Sequence, residues 1–195
     1  MTIHFQRELE KIKKRILSLG AMVEERVRLV IRALETRDGD AAKKIIISDH
    51  EIDEMEVEIE EECLKILALY QPVAIDLRFL TAVIKINNDL ERVADEAVNI
   101  AERVKVIARR QRLDIPFNHS SMAEKSEFML KDNMMNEAYD VVKHAIGEHP
   151  DRVSYLINLL LVSRHLERIA DHATNIAEEV IYLVEGEIVR HGNYL

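Results

Sequence analysis

The sequence predicts an all-α protein, two tandem three-helix bundle repeats with pseudo-twofold symmetry, the second repeat truncated or gapped. Three observations carry this. Leu90 to Val104, LERVADEAVNIAERV, returns as Leu166 to Val180, LERIADHATNIAEEV, with 11 of 15 positions identical at a constant offset of 76. Unrelated segments of ordinary composition agree at roughly one position in fifteen, so the chain is two copies of one unit. Apolar residues step by three and four along most of the length, which is the spacing of one helix face. Five Gly, three Pro and no Trp in 195 residues leave little material for the turns of a sandwich or barrel.

The elements follow in order. Phe5, Leu9, Ile12, Ile16, Leu19, Val23, Val27, Val30 and Leu34 mark one long helix from Phe5 to about Arg37, about 50 Å long at about 1.5 Å per residue. Asp38, Gly39 and Asp40 end it, with Gly39 suited to the left-handed conformation that closes helices. Ile45, Ile52, Met55, Ile59, Cys63 and Ile66 predict an unbroken second helix from Ala41 to about Tyr70. Pro72 marks the next boundary, since proline fits a first helical turn and not an interior. A third helix runs from about Val73 to Arg110, and the linker Leu113 to Ser121 follows. The repeats are thus assigned to residues 1–112 and 120–190. In the second, Met122 to Lys131 and Asn133 to Ile146 are helical, Gly147 to Pro150 breaks the pattern, and Asp151 to about Glu185 is the last helix. Ahead of its key helix the second repeat lacks about three dozen residues: 48 positions separate Phe5 from Asp53, but only ten separate Met122 from Asp132, the counterpart of Asp53.

Composition narrows the function classes. A net charge of -9 opposes nucleic-acid binding, which wants a basic face. The cluster Arg109, Arg110 and Arg112 sits where cations complement the carbonyl end of a helix. The lone Cys63 forms no internal disulfide, lies among apolar residues, and is read as core in an intracellular protein. No signal peptide and no stretch of about 18 apolar residues is present, so the chain is expected to be cytoplasmic and without a transmembrane segment.

The repeated helix is chemically unusual. Glu91 with Asp95, and Glu167 with Asp171, are like charges four residues apart, which face the same side and repel by a few tenths of a kcal/mol. They continue into a polar stripe, Asn88, Glu91, Asp95, Asn99, Glu102, bordered by apolar residues and so expected to be partly buried. Asp49 and Asp53 repeat the spacing on the second helix, and antiparallel helices about 8–10 Å apart would let the two pairs face each other. Concentrated carboxylates are neutralised by arginine, by raised pKa values, or by metal ions such as Mg, Ca, Mn or Fe. Arg92 and Arg168 adjoin the glutamates but do not face them, which favours metal. None of the eight histidines follows a Glu by three residues, so the Glu-x-x-His ligands of a di-iron oxidase are missing. His50 and His172 are read as ordinary surface or packing histidines. No phosphate loop, nucleophile elbow or zinc spacing appears, and the chain is read as a non-enzyme.

The doubled LERxADxAxNIAE motif, the preceding Asp49-His-Glu-Ile-Asp53 and the segment QPVAIDLRFL (Gln71 to Leu80) resemble the PhoU family of phosphate-uptake regulators. The resemblance implies a cytoplasmic helical homodimer that links the phosphate ABC transporter to a sensor histidine kinase and represses phosphate-starvation genes. It also implies a multinuclear Fe or Zn cluster, with Mg or Mn as alternatives. One site would use Asp49, Asp53, Glu91 and Asp95. A second would use Asp132, Glu167 and Asp171, with Phe128 where a fourth carboxylate would stand. Two other readings of the acidic face are a metal-binding helical adaptor of another pathway and a metal-dependent hydrolase.

Overall fold

The computed structural model describes residues 3–113 and 131–186, with side chains in the second span from 138 onward. Six α-helices account for nearly all of them, and no strand occurs among the described residues. They are α1 (Ile3–Thr36), α2 (Gly39–Ile47), α3 (His50–Tyr70), α4 (Ala74–Ala108), α5 (Lys131–Glu148) and α6 (Val153–Glu185), with a 3-10 turn at Pro150–Arg152 before α6. The linker at 114–121 and the helix expected from Met122 to Lys131 lie almost wholly outside the described residues.

The second helix is not continuous. It ends at Ile47 and restarts at His50, so Asp49 sits in a turn and not one helical turn before Asp53. Arg26 on α1, only 6% exposed, fixes that turn: its guanidinium donates to the Asp49 carboxylate at 2.8 Å and to the Ser48 carbonyl at 2.9 Å. The end of α1 also differs from expectation. Arg37, not Gly39, takes the left-handed conformation with φ 56°, and Gly39 begins α2 behind Asp38. The Asp38 carboxylate accepts from the backbone of Asp40 and Ala41 at 3.0 and 2.9 Å, the usual answer to unpaired N–H groups at a helix start. Arg37 is held in place because its guanidinium donates to the carbonyls of Ile107 and Arg110 and lies 5.5 Å from the Tyr155 ring. A cation thus does close the carbonyl end of α4, supplied by Arg37 just past the end of α1.

By contact the chain forms two compact units, and neither coincides with a sequence repeat. The first comprises residues 3–24, 50–92 and 172–186, so it holds the start of α1, all of α3, the first half of α4 and the end of α6. Phe5, Ile12, Leu19 and Val23 pack here with Ile52, Ile59, Cys63 and Ile66 and with Leu80 and Val83, the apolar stripes that the helical period requires. Lys11 and Arg15 pair with Glu58 and Glu62 along its rim. Burial alone pushes the Glu62 carboxyl up, but the two cations outweigh it and hold Glu62 below the ordinary carboxylate value. Cys63 is fully buried and its thiol is pushed up to about 12 by that burial and by Glu62 and Glu60, so it is an inert core residue.

The second unit comprises residues 25–49, 93–113 and 131–171. Its core joins Val30, Ala33 and Leu34 of α1, Ala42 and Ile45 of α2, and Ile100, Val104 and Ile107 of α4. From the second repeat it takes Ala138, Val142 and Ala145 of α5 with Leu156, Leu159 and Val162 of α6.

Candidate functional site

The acidic stripe lies one position away from the buried face of α4. Asn88, Asp95 and Glu102 are exposed, and Glu91 and Asn99 are half-buried. The buried acids are Asp89 at 8% and Glu96 at 3% exposure, which share a face with Leu90, Val93, Ala97 and Ile100. Sequence reasoning passed over both. The available signal was their seven-residue spacing, which keeps them in step with the apolar positions of the same helix.

Each buried acid meets a histidine of α6. In the first unit His172 Nδ1 lies 2.9 Å from an Asp89 carboxylate oxygen, and Asn175 donates to the same oxygen at 3.5 Å. In the second unit His165 Nδ1 lies 2.6 Å from one Glu96 oxygen, while Arg168 reaches the other at 2.9 Å. Charged side chains leave water at little net cost only when paired in this way. His172 is therefore a packing histidine, while His50 is exposed.

The first unit also contains a polar cleft of about 390 Å³ between α4 and α6, lined by Lys85, Asn88, Asp89 and Arg92 on one side and Asn175, Glu178 and Glu179 on the other. Lys85 closes on Glu179 at 2.9 Å, and both Lys85 and Arg78 lie within 6 Å of the Tyr182 ring centre. Elsewhere in this unit the buried Asn87 amide donates to the carbonyl and the carboxylate of Glu56 at 2.9 and 3.0 Å. Burial, then the charges of Glu60 and Asp53, push the Glu56 carboxyl above its ordinary value.

The residues expected to hold metal are distributed as follows. Asp53, exposed on α3, and Glu91, half-buried on α4, belong to the first unit; Asp49, Asp95, Glu167 and Asp171 belong to the second. Asp132 falls within α5, but its side chain lies outside the described residues. Asp49, Glu91, Asp95, Glu167 and Asp171 all have interaction partners. As arranged, the described side chains do not form a metal donor set: no three His, Cys, Asp or Glu among them converge on a point that could hold an ion, and Arg26 occupies Asp49.

Comparison with known proteins gives a consistent result. The PhoU domain family matches residues 16–104 and 122–180, one match to each repeat. A relative in Clostridium acetobutylicum, named a phosphate-specific transport system accessory protein PhoU homolog, is 33% identical over 210 aligned positions covering 95% of this chain and 96% of its own. One in Aquifex aeolicus with the same name is 36% identical over 209 positions, covering 95% of each chain. Both alignments are longer than the 195 residues present, so these relatives carry residues that this chain lacks within the aligned region. The crystal structure of PhoU from Pseudomonas aeruginosa superposes with a TM-score of 0.84 at 32% identity, covering 94% of this chain and 100% of that one. That of the phosphate transport system regulatory protein PhoU from Streptococcus pneumoniae gives 0.77 at 29% identity, covering 95% and 99%.

Proposed function

The chain belongs to the PhoU domain family, and on that premise we propose that it regulates phosphate uptake. It links the phosphate ABC transporter to a sensor histidine kinase and holds the phosphate-starvation response off when phosphate is plentiful. What supports this is likeness over nearly the whole chain to proteins named as accessory proteins of the phosphate-specific transport system. Long helices with polar outer faces suit docking against other proteins, and the inert Cys63 offers no nucleophile. The protein acts by binding, without turnover, in the cytoplasm and as a homodimer. In a deletion strain grown with ample phosphate, starvation genes are expected to be expressed, and supplying the chain should restore repression. Normal repression in the deletion strain would overturn the reading.

Metal binding is a separate proposal, supported by the repeated like-charge pairs. Asp49, Asp53, Glu91 and Asp95 take up Fe or Zn, or else Mg or Mn, more firmly than Asp132, Glu167 and Asp171, which requires Asp49 to leave Arg26. Elemental analysis should then show metal lost in Asp95→Ala and largely kept in Asp171→Ala. The reverse order would sink the ranking, and protein that never carries metal would sink the proposal.

A further inference from the structure

The 76-residue offset carries Asp89 onto His165 and Glu96 onto His172. The structure pairs these four crosswise, Asp89 with His172 in the first unit and Glu96 with His165 in the second. Applying the offset to one contact therefore yields the other. Both times the first repeat supplies the acid and the second supplies the histidine. All four side chains are nearly withdrawn from water, at 11% and 14% exposure in one pair and 4% and 13% in the other.

Around these pairs the two copies of the helix are almost interchangeable. Leu90 and Leu166, Ala94 and Ala170, and Ile100 and Ile176 are identical, and Val93 differs from Ile169 by one methylene. Arg92 and Arg168 are identical too, each lying on the acid side of its pair, at 3.8 Å from Asp89 and 2.9 Å from Glu96, so the arginines do not distinguish the copies. Apolar contact alone would let α4 pack against α4 of a second copy of the chain as well as against α6. In that like-with-like antiparallel pairing at the same register, Asp89 would face Glu96 twice. The corresponding α6 pairing would set His165 against His172 twice, with no acid for either ring. The equivalent arginine, Arg92, would go with each such pair, but it would then serve two carboxylates where each native pair gives it one, and crowding buried like charges in this way is disfavoured.

We propose that the acids in the first repeat and the histidines in the second form a pairing code that restricts this seam to contacts of first repeat with second repeat. The code excludes association of two chains through like repeats, and it acts through the repulsion built into the wrong arrangement. Whatever assembly the protein forms, this seam is not its interface.

The test uses the full chain, unfolded in denaturant, refolded at several concentrations and weighed by light scattering. Asp89→His with His172→Asp keeps an acid opposite a histidine in both native pairs, but leaves each repeat with one acid and one histidine. Like-with-like seams then become self-complementary. The expected result is a concentration-dependent rise, on the order of tenfold, in species heavier than those of the wild type, with helix content unchanged. Glu96→His with His165→Glu is expected to do the same. Combining all four substitutions puts both histidines in the first repeat and both acids in the second, and should restore the wild-type distribution. Wild-type masses in both two-site variants would overturn the proposal, as would a four-site variant as heterogeneous as they are. Failure of either two-site variant to fold would overturn it as well, since each retains both native pairs.

Discussion

Two polar residues, Arg26 buried and Glu56 half-buried, show how little of a charged side chain's role lies in its own chemistry. Arg26 is a stabilising residue only because Asp49 and the Ser48 carbonyl meet it. Arg26→Ala removes the cation 2.8 Å from the Asp49 carboxylate, which is 20% exposed, and losing one partner of a pair so withdrawn from water costs roughly 3 kcal/mol. Chemical denaturation should show that loss, and adding Asp49→Ala to the variant should recover part of it. Glu56 works in the opposite sense. Its folded pKa is raised, so its contribution is fully present below the unfolded value of 4.5 and is lost as pH rises through the folded value. Glu56→Gln keeps an acceptor for Asn87 and removes the charge. The variant should melt above the wild type at pH 7, with the difference vanishing below pH 4.5; a lower melting temperature at pH 7 would contradict the assignment.

At the scale of the element, the helix ends depend on residues outside the helix itself. Gly186 closes α6: its N–H donates to the Tyr182 carbonyl at 3.0 Å and its φ is +77°, the left-handed closing position that favours glycine. A Cβ there would stand 2.1 Å from Arg78 Nη1. Gly186→Ala should destabilise the protein by about 1 kcal/mol from the backbone alone, more if Arg78 is displaced from Tyr182. Circular dichroism during melting should record the drop. The Gln71–Ala74 turn is unusual in the other direction, with φ of 45° and 51° at two residues that are not glycine. Pro72 stands between them, with its own φ fixed near -65°, so the reversal of direction between α3 and α4 falls on its neighbours. Val73, Ile75 and Leu77 are exposed around it.

For the whole molecule the dominant quantity is charge. At -9 with an isoelectric point near 5.4, the chain repels a phosphate backbone more than it attracts one. Mixed with duplex DNA at low salt, where electrostatic binding is strongest, it should produce no mobility shift; a shift would exclude the acidic surface as the governing feature. No helix among the described residues is long and apolar enough to cross a membrane.

The sequence alone determined that the protein is helical and duplicated, because helical period and internal repetition are local properties written residue by residue. It located α1, α4 and α6 to within a few residues, placed Cys63 in a core, and found the helix that carries the polar surface. It missed the break at Ser48 and Asp49, because the apolar spacing continues across it and the stabilising group, Arg26, lies 23 positions earlier. It chose Glu91 and Asp95 over Asp89 and Glu96, because repetition drew attention to what the two copies share, whereas the buried contacts use what they do not. Only tertiary structure decided which acid meets which histidine. A carboxylate can enter a core only where another chain segment brings it a partner, and that partner stands 69 or 83 residues away, beyond the reach of any local pattern.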